Sequence, residues 1–122
     1  IDVELAFSYN CLKQFDKAIL ILNSALERNP TDSYLNKELI YALLKSGQID
    51  KATESCKKAI NACNDTTYNG ENCYNILYAY YLRRDRVNFD IWSKEARRWN
   101  ADNVRLTNAI KGMELELIKT GR

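Results

Sequence analysis

The strongest constraint on this chain is its similarity to itself at a displacement of 34 residues, at which Phe15-Asp16-Lys17-Ala18 lies over Ile49-Asp50-Lys51-Ala52. At the same displacement Ser24-Ala25-Leu26 lies over Lys58-Ala59-Ile60, Leu5 over Leu39, Tyr9 over Leu43 and Leu22 over Cys56. Leu12 falls opposite Ser46 and has no apolar counterpart. A period of this length, with apolar residues at helical spacing, points to a stack of helical hairpins in which each unit buries its apolar face on its neighbour. Composition agrees: one proline and four glycines in 122 residues leave little room for irregular backbone.

The spacing has a packing logic. Small residues at Ala18, Ala25, Ala52 and Ala59 let two helices approach closely, while large residues fill the gaps between hairpins. Within Asn29-Pro30-Thr31-Asp32 the proline cannot continue one helix, and Thr31 or Asp32 can cap the next. Gly47 falls at the turn inside the second unit, where positive φ costs glycine little.

These residues carry a family resemblance. Leu5-Ala6, Tyr9, Ala18, Leu22, Ala25 and Pro30 in the first unit, and Leu39, Leu43, Ala52, Cys56 and Ala59 in the second, stand where tetratricopeptide repeats place their signature residues. Ile40 replaces the small residue and Asn64 the proline of the second unit. The chain thus resembles the tetratricopeptide repeat family over residues 1–64. The resemblance implies an all-α protein, a right-handed α-α superhelix of about seven helices forming one domain over residues 1–122. The units expected are 1–31, 32–64 and 72–100, with a partial or capping helix over 101–122.

The third unit is degenerate. Leu82-Arg83-Arg84-Asp85-Arg86-Val87-Asn88 echoes Leu44-Lys45-Ser46-Gly47-Gln48-Ile49-Asp50 at an offset of 38, and the extra residues fall in Cys63–Cys73, which reads as a polar loop with an Asn69-Gly70 turn. Phe89, Trp92, Ala96 and Trp99 recur at helical spacing. In the last segment Asn100-Ala101-Asp102 takes the role of Pro30-Thr31-Asp32, and Val104, Ile110, Met113 and Leu117 form an apolar stripe. Its ending, Ile118-Lys119-Thr120-Gly121-Arg122, matches the turn after Leu44; either a capping helix or a chain cut in mid-repeat fits, and the turn favours the cut. The first residue, Ile1 rather than methionine, also points to a piece of a longer chain.

Composition narrows the function classes. With no histidine, Ser-His-Asp and Cys-His catalysis and His-containing metal sites are excluded within this chain. No glycine-rich phosphate loop, metal cluster or activated nucleophile is visible, so no enzyme, metal or cofactor is expected. The net charge of +2, with signs interspersed, argues against nucleic acid, and no apolar stretch is long enough to span a bilayer.

The resemblance implies a protein-interaction scaffold that binds a peptide or helix on a concave groove lined by the first helix of each unit; the alternative is self-association, or support of a larger multidomain protein. The implied groove positions are Val3, Phe7, Asn10 and Cys11, then Tyr34, Lys37, Glu38, Tyr41, Leu44 and Lys45, then Asn75, Ile76, Ala79 and Arg83. One subclass grips a chaperone's C-terminal carboxylate here with lysines and asparagines. Val3, Phe7 and Glu38 occupy those positions and disfavour such a clamp. Tyr74, Tyr78, Tyr80 and Tyr81, like Trp92 and Trp99, read first as packing residues, with one or two of the tyrosines on an accessible face. Cys56 replaces a large apolar residue and reads as a buried thiol, and Cys11 as a bystander. Cys63 and Cys73 could staple the expected loop with a disulfide. The compartment stays open: cytoplasmic with reduced thiols, periplasmic or secreted with that bond formed.

Overall fold

The structure, a computed structural model, describes residues 2–120. They form seven helices and no strand: α1 (Asp2–Cys11), α2 (Phe15–Arg28), α3 (Ser33–Lys45), α4 (Ile49–Ala62), α5 (Thr66–Leu82), α6 (Arg86–Trp99) and α7 (Val104–Lys119). Each helix packs on the next, and α1, α3, α5 and α7 also touch in succession, so the first helices form one layer of a helical-repeat superhelix. The small residues named from the period are buried, Ala18 and Ala52 fully and Ala25 and Ala59 nearly so, and Ala96 of α6 is fully buried as well. Leu22, Ile40, Ile76, Leu77, Ile110 and Leu117 fill the spaces between hairpins, each contributing about 1.5–3 kcal/mol by burial. Leu5, matched in sequence with buried Leu39, is half exposed because no earlier hairpin covers α1 among the described residues.

Two local devices recur with the repeat. Between units, an Asx side chain caps the first helix: Asp32 accepts from Leu35 N–H at 3.0 Å, Asp65 from Tyr68 N–H at 3.1 Å, and Asn103 from Leu106 N–H at 3.0 Å. Four residues after each cap, a polar side chain reaches back to the end of the preceding unit. Asn36 donates to the Pro30 carbonyl (3.2 Å), Asn69 to Cys63 (2.9 Å) and Thr107 to Asn100 (3.1 Å). The third cap is Asn103, one residue beyond the expected Asp102, and Val104 is consequently exposed while Leu106 takes its place in the stripe.

Inside units, α1, α3 and α5 end in the same turn. The N–H groups of Gln14, Gln48 and Asp85 close on the carbonyls of Tyr9, Leu43 and Tyr80, around a left-handed residue: Lys13 (φ 61°), Gly47 (φ 82°) and Arg84 (φ 58°). Arg84 therefore corresponds to Gly47, so the register at the third turn is 37, not the 38 expected from sequence. At the end of α7, Thr120 repeats the cap of Ser46: the N–H of each closes on a carbonyl four residues back, and each hydroxyl donates to a carbonyl three back. The remainder of the expected turn, Gly121-Arg122, lies outside the described residues.

The main correction concerns residues 63–73, which are not a loop. Helix α5 begins at Thr66 and has 17 residues where α3 has 13, so the four extra residues are one additional helical turn. The third unit accordingly starts at Thr66 rather than 72. Asn69 and Gly70 lie within the helix, and Gly70 serves close approach: a Cβ there would meet Asn100 Oδ1 at 2.6 Å, and the Asn100 amide donates to the Gly70 carbonyl at 3.0 Å.

With no loop to staple, Cys63 and Cys73 are separate free thiols. Cys63 caps α4 and donates to the Thr31 carbonyl at 3.2 Å, whereas Cys73 sits inside α5 against Cys56. Hydrogen bonding to Cys56 and then burial push the Cys73 thiol far above its ordinary range, which makes it unreactive. Cys56 is buried, as expected, and Cys11 is exposed.

Two outcomes are expected. Replacing Lys13 by glycine removes the strain of a left-handed lysine and should raise unfolding free energy by about 1 kcal/mol, measured by urea denaturation; an unchanged or lower value would contradict the turn described. In a thiol-reagent assay of the native chain, Cys11 should react fast while Cys56, Cys63 and Cys73 react only on unfolding.

Candidate functional site: the outer row of the first helices

Because all four first helices end in matching caps, a residue counted back from each end occupies the same place on its helix. The residue four before the last helical position is Phe7 in α1, Tyr41 in α3, Tyr78 in α5 and Leu115 in α7. All four are exposed, at 47%, 39%, 46% and 57%. In a folded chain large apolar side chains usually face inward; here one from each first helix faces water, forming a row across the layer.

Between the second and third rungs lies a hollow of about 270 Å³ lined by Tyr41, Lys45, Asn75, Tyr78 and Leu82, with Leu44 and Ala79 beneath. The Lys45 ammonium sits 5.7 Å from the Tyr41 ring centre, and Phe15 meets the same ring edge-on at 6.2 Å. Tyr78 stacks on Tyr81 at 6.2 Å. These contacts hold the rungs in place while leaving one face of each open.

A second aromatic station lies toward the start of α3. The Lys37 ammonium is 5.2 Å from the Tyr34 ring and 5.6 Å from that of Tyr68, and the two rings meet edge-on at 6.4 Å. Burial, and next the nearby Glu38 carboxyl, push the Tyr34 phenol above its ordinary range, so it stays a hydrogen-bond donor. Lys37 also approaches Glu38 at 3.5 Å.

Of the positions named from sequence, Phe7, Tyr41, Lys45 and Asn75 are exposed on this face, and Tyr34 and Lys37 half-buried beside it. Arg83 is exposed at the C-cap of α5. Three positions, Asn10, Glu38 and Ile76, are corrected. Asn10 and Glu38 are both 4% exposed and face each other across α1 and α3: the Asn10 amide donates to Glu38 Oε1 at 3.0 Å and to its carbonyl at 3.3 Å. They are struts beneath the surface, since each lies one turn from an exposed rung on the side turned toward the neighbouring helix. Ile76 is fully buried.

The sequence reading missed Tyr78 as a partner of Tyr41, and also Leu82 and Leu115. The signal that could have found them is the count back from each helix end, hidden by the extra turn of α5. Of the other aromatics, Tyr80 is buried with its hydroxyl 2.9 Å from Thr53 Oγ1, and Trp92 is core.

Residues 12–66 match a family model described as tetratricopeptide repeat. No curated protein matches the chain. The matched stretch runs from the first intra-unit turn through α2, α3 and α4 to the first residue of α5. Over residues 12–66, with their helical hairpins and recurring caps, the chain is thus similar to the tetratricopeptide repeat family.

Proposed function

We propose that this protein is a non-catalytic interaction scaffold that binds a segment of a partner protein along the row Phe7, Tyr41, Tyr78 and Leu115. Tetratricopeptide repeats are generally protein-interaction modules, and the observation that carries the finer reading is the exposed row itself. An aromatic or aliphatic side chain repeated at one position in four alternate helices has a cost in water that packing within the chain offsets only in part. Tyrosine suits such a surface because its apolar ring and polar tip both gain contacts on binding, at little entropic cost.

Chemistry at the neighbouring positions bears on what is bound. The acidic side chain Glu38 is turned inward, while Lys37 and Lys45 border the row, so the surface favours a segment carrying acidic groups. Val3, Phe7 and Glu38 offer no pair of cationic or amide donors for a terminal carboxylate, which speaks against the chaperone clamp. Among the described residues no group of Cys, Asp and Glu is placed to hold a metal ion, and no helix is long and apolar enough to cross a membrane.

Selection from a random displayed-peptide library tests the proposal. Selected peptides should bind Tyr41→Ala more weakly by about 2 kcal/mol, the scale of an interface hot spot, with the helical circular dichroism unchanged. Peptides that bind the wild type and the Tyr41→Ala and Tyr78→Ala variants alike would place the binding surface elsewhere.

A further inference from the structure

Independently of the groove, we propose that the edge formed by the turns inside the units is a docking surface for an anionic lipid bilayer. Consecutive helices pack on each other through connections of three or four residues, so neighbours run antiparallel and the first helices all point the same way. Their C-terminal ends, with the turns that follow α1, α3 and α5, therefore share one edge of the molecule, and the end of α7 joins it.

This edge sets cations beside exposed aliphatic side chains. Leu12 precedes Lys13 at the first turn, Leu82 precedes Arg83-Arg84 at the third, and Ile118 precedes Lys119 at the end of α7. Leu12, Leu82 and Ile118 are 65%, 61% and 67% exposed, and Val87, just past the third turn, is 72% exposed. At the second turn Leu44 is half-buried and Lys45 projects alone. On the opposite edge, where units join, Val104 is the one large apolar side chain exposed to this degree among the described residues.

The helix dipole accounts for a cation at each C-terminus, but an aliphatic side chain gains nothing from the dipole and is costly in water. Among the described residues Lys13, Lys45, Arg83 and Lys119 form no ion pair, so their charge is open to a partner. The carboxylates nearby, Asp16, Asp50 and Asp85, sit in the first turn or at the N-cap of second helices, where the dipole favours them, and Asp85 is also bonded to Asn88. At a bilayer surface the two residue types act together. Aliphatic tips enter the boundary of the acyl chains, while ammonium and guanidinium groups meet the anionic headgroups. A nucleic acid would use the cations and leave the aliphatic tips in water. The tips also stand on separate turns, from the end of α1 to the end of α7, which a surface wider than the molecule can meet and one short acidic peptide cannot.

The test uses the full chain and sedimentation with large vesicles, either phosphatidylcholine alone or phosphatidylcholine mixed with phosphatidylserine. The mixed vesicles should retain the chain at low salt, less so as salt rises, and phosphatidylcholine alone should not. Lys13→Glu should weaken retention by about fivefold or more, the scale of one cation at such a surface. Leu12→Ser and Val87→Ser should each weaken it by about fivefold or more, although neither alters the charge, with the circular dichroism unchanged. In Leu12→Trp the added fluorescence should shift to shorter wavelength on the mixed vesicles and not on phosphatidylcholine. Lack of retention by the mixed vesicles overturns the proposal. So does retention that Leu12→Ser and Val87→Ser leave intact, which marks a purely electrostatic contact. Polyglutamate and single-stranded RNA serve as the other polyanions: if Leu12→Ser weakens their binding as much as it weakens retention by vesicles, the edge belongs to a macromolecule and the bilayer is wrong. Tyr41→Ala should leave retention unchanged; a loss there would place the vesicle contact in the groove and would also overturn the proposal.

Discussion

Everything in this molecule depends on how closely its helices approach. Ala18, Ala25, Ala52, Ala59 and Ala96 present only a methyl group at the contact, and each is buried to within 4%. A larger side chain at any of them would separate two helices, and the interior is too densely packed to absorb the change locally. All five lie on the second helices α2, α4 and α6, each of which packs on the first helices to either side.

The architecture could be read from sequence because its causes are local and periodic. Alanines at a fixed spacing, Pro30 after α2 and Gly47 at a turn each announce a boundary or a contact through their own stereochemistry. What could not be read was work done by a residue outside its usual role. Asn69-Gly70 has the signature of a turn, yet Asn69 reaches back to Cys63 and Gly70 makes room for Asn100. Lys13 and Arg84 adopt the conformation of Gly47 without being glycine. In both cases a tertiary contact or a hydrogen-bonded cap overrides local preference, and a neighbour thirty residues away is invisible to a local pattern.

The candidate site divides along the same line. Positions facing outward in the first two units, Phe7, Tyr41 and Lys45, follow from the regular period. Asn10 and Glu38 have the composition of a binding surface but are spent on each other, joining α1 to α3. A buried acid and amide of this kind are more costly to break than to keep, since removing one partner strands the other. Their pairing fixes the relative position of the first two rungs.

The back-reaching bonds of Asn36, Asn69 and Thr107 have a mechanical meaning. Each ties the opening of one hairpin to the close of the hairpin before it, and none spans more than a single junction. Load applied along the chain would therefore be borne one junction at a time, like links in series rather than strands in parallel. In such a molecule the outermost link can open while the interior ones stay closed.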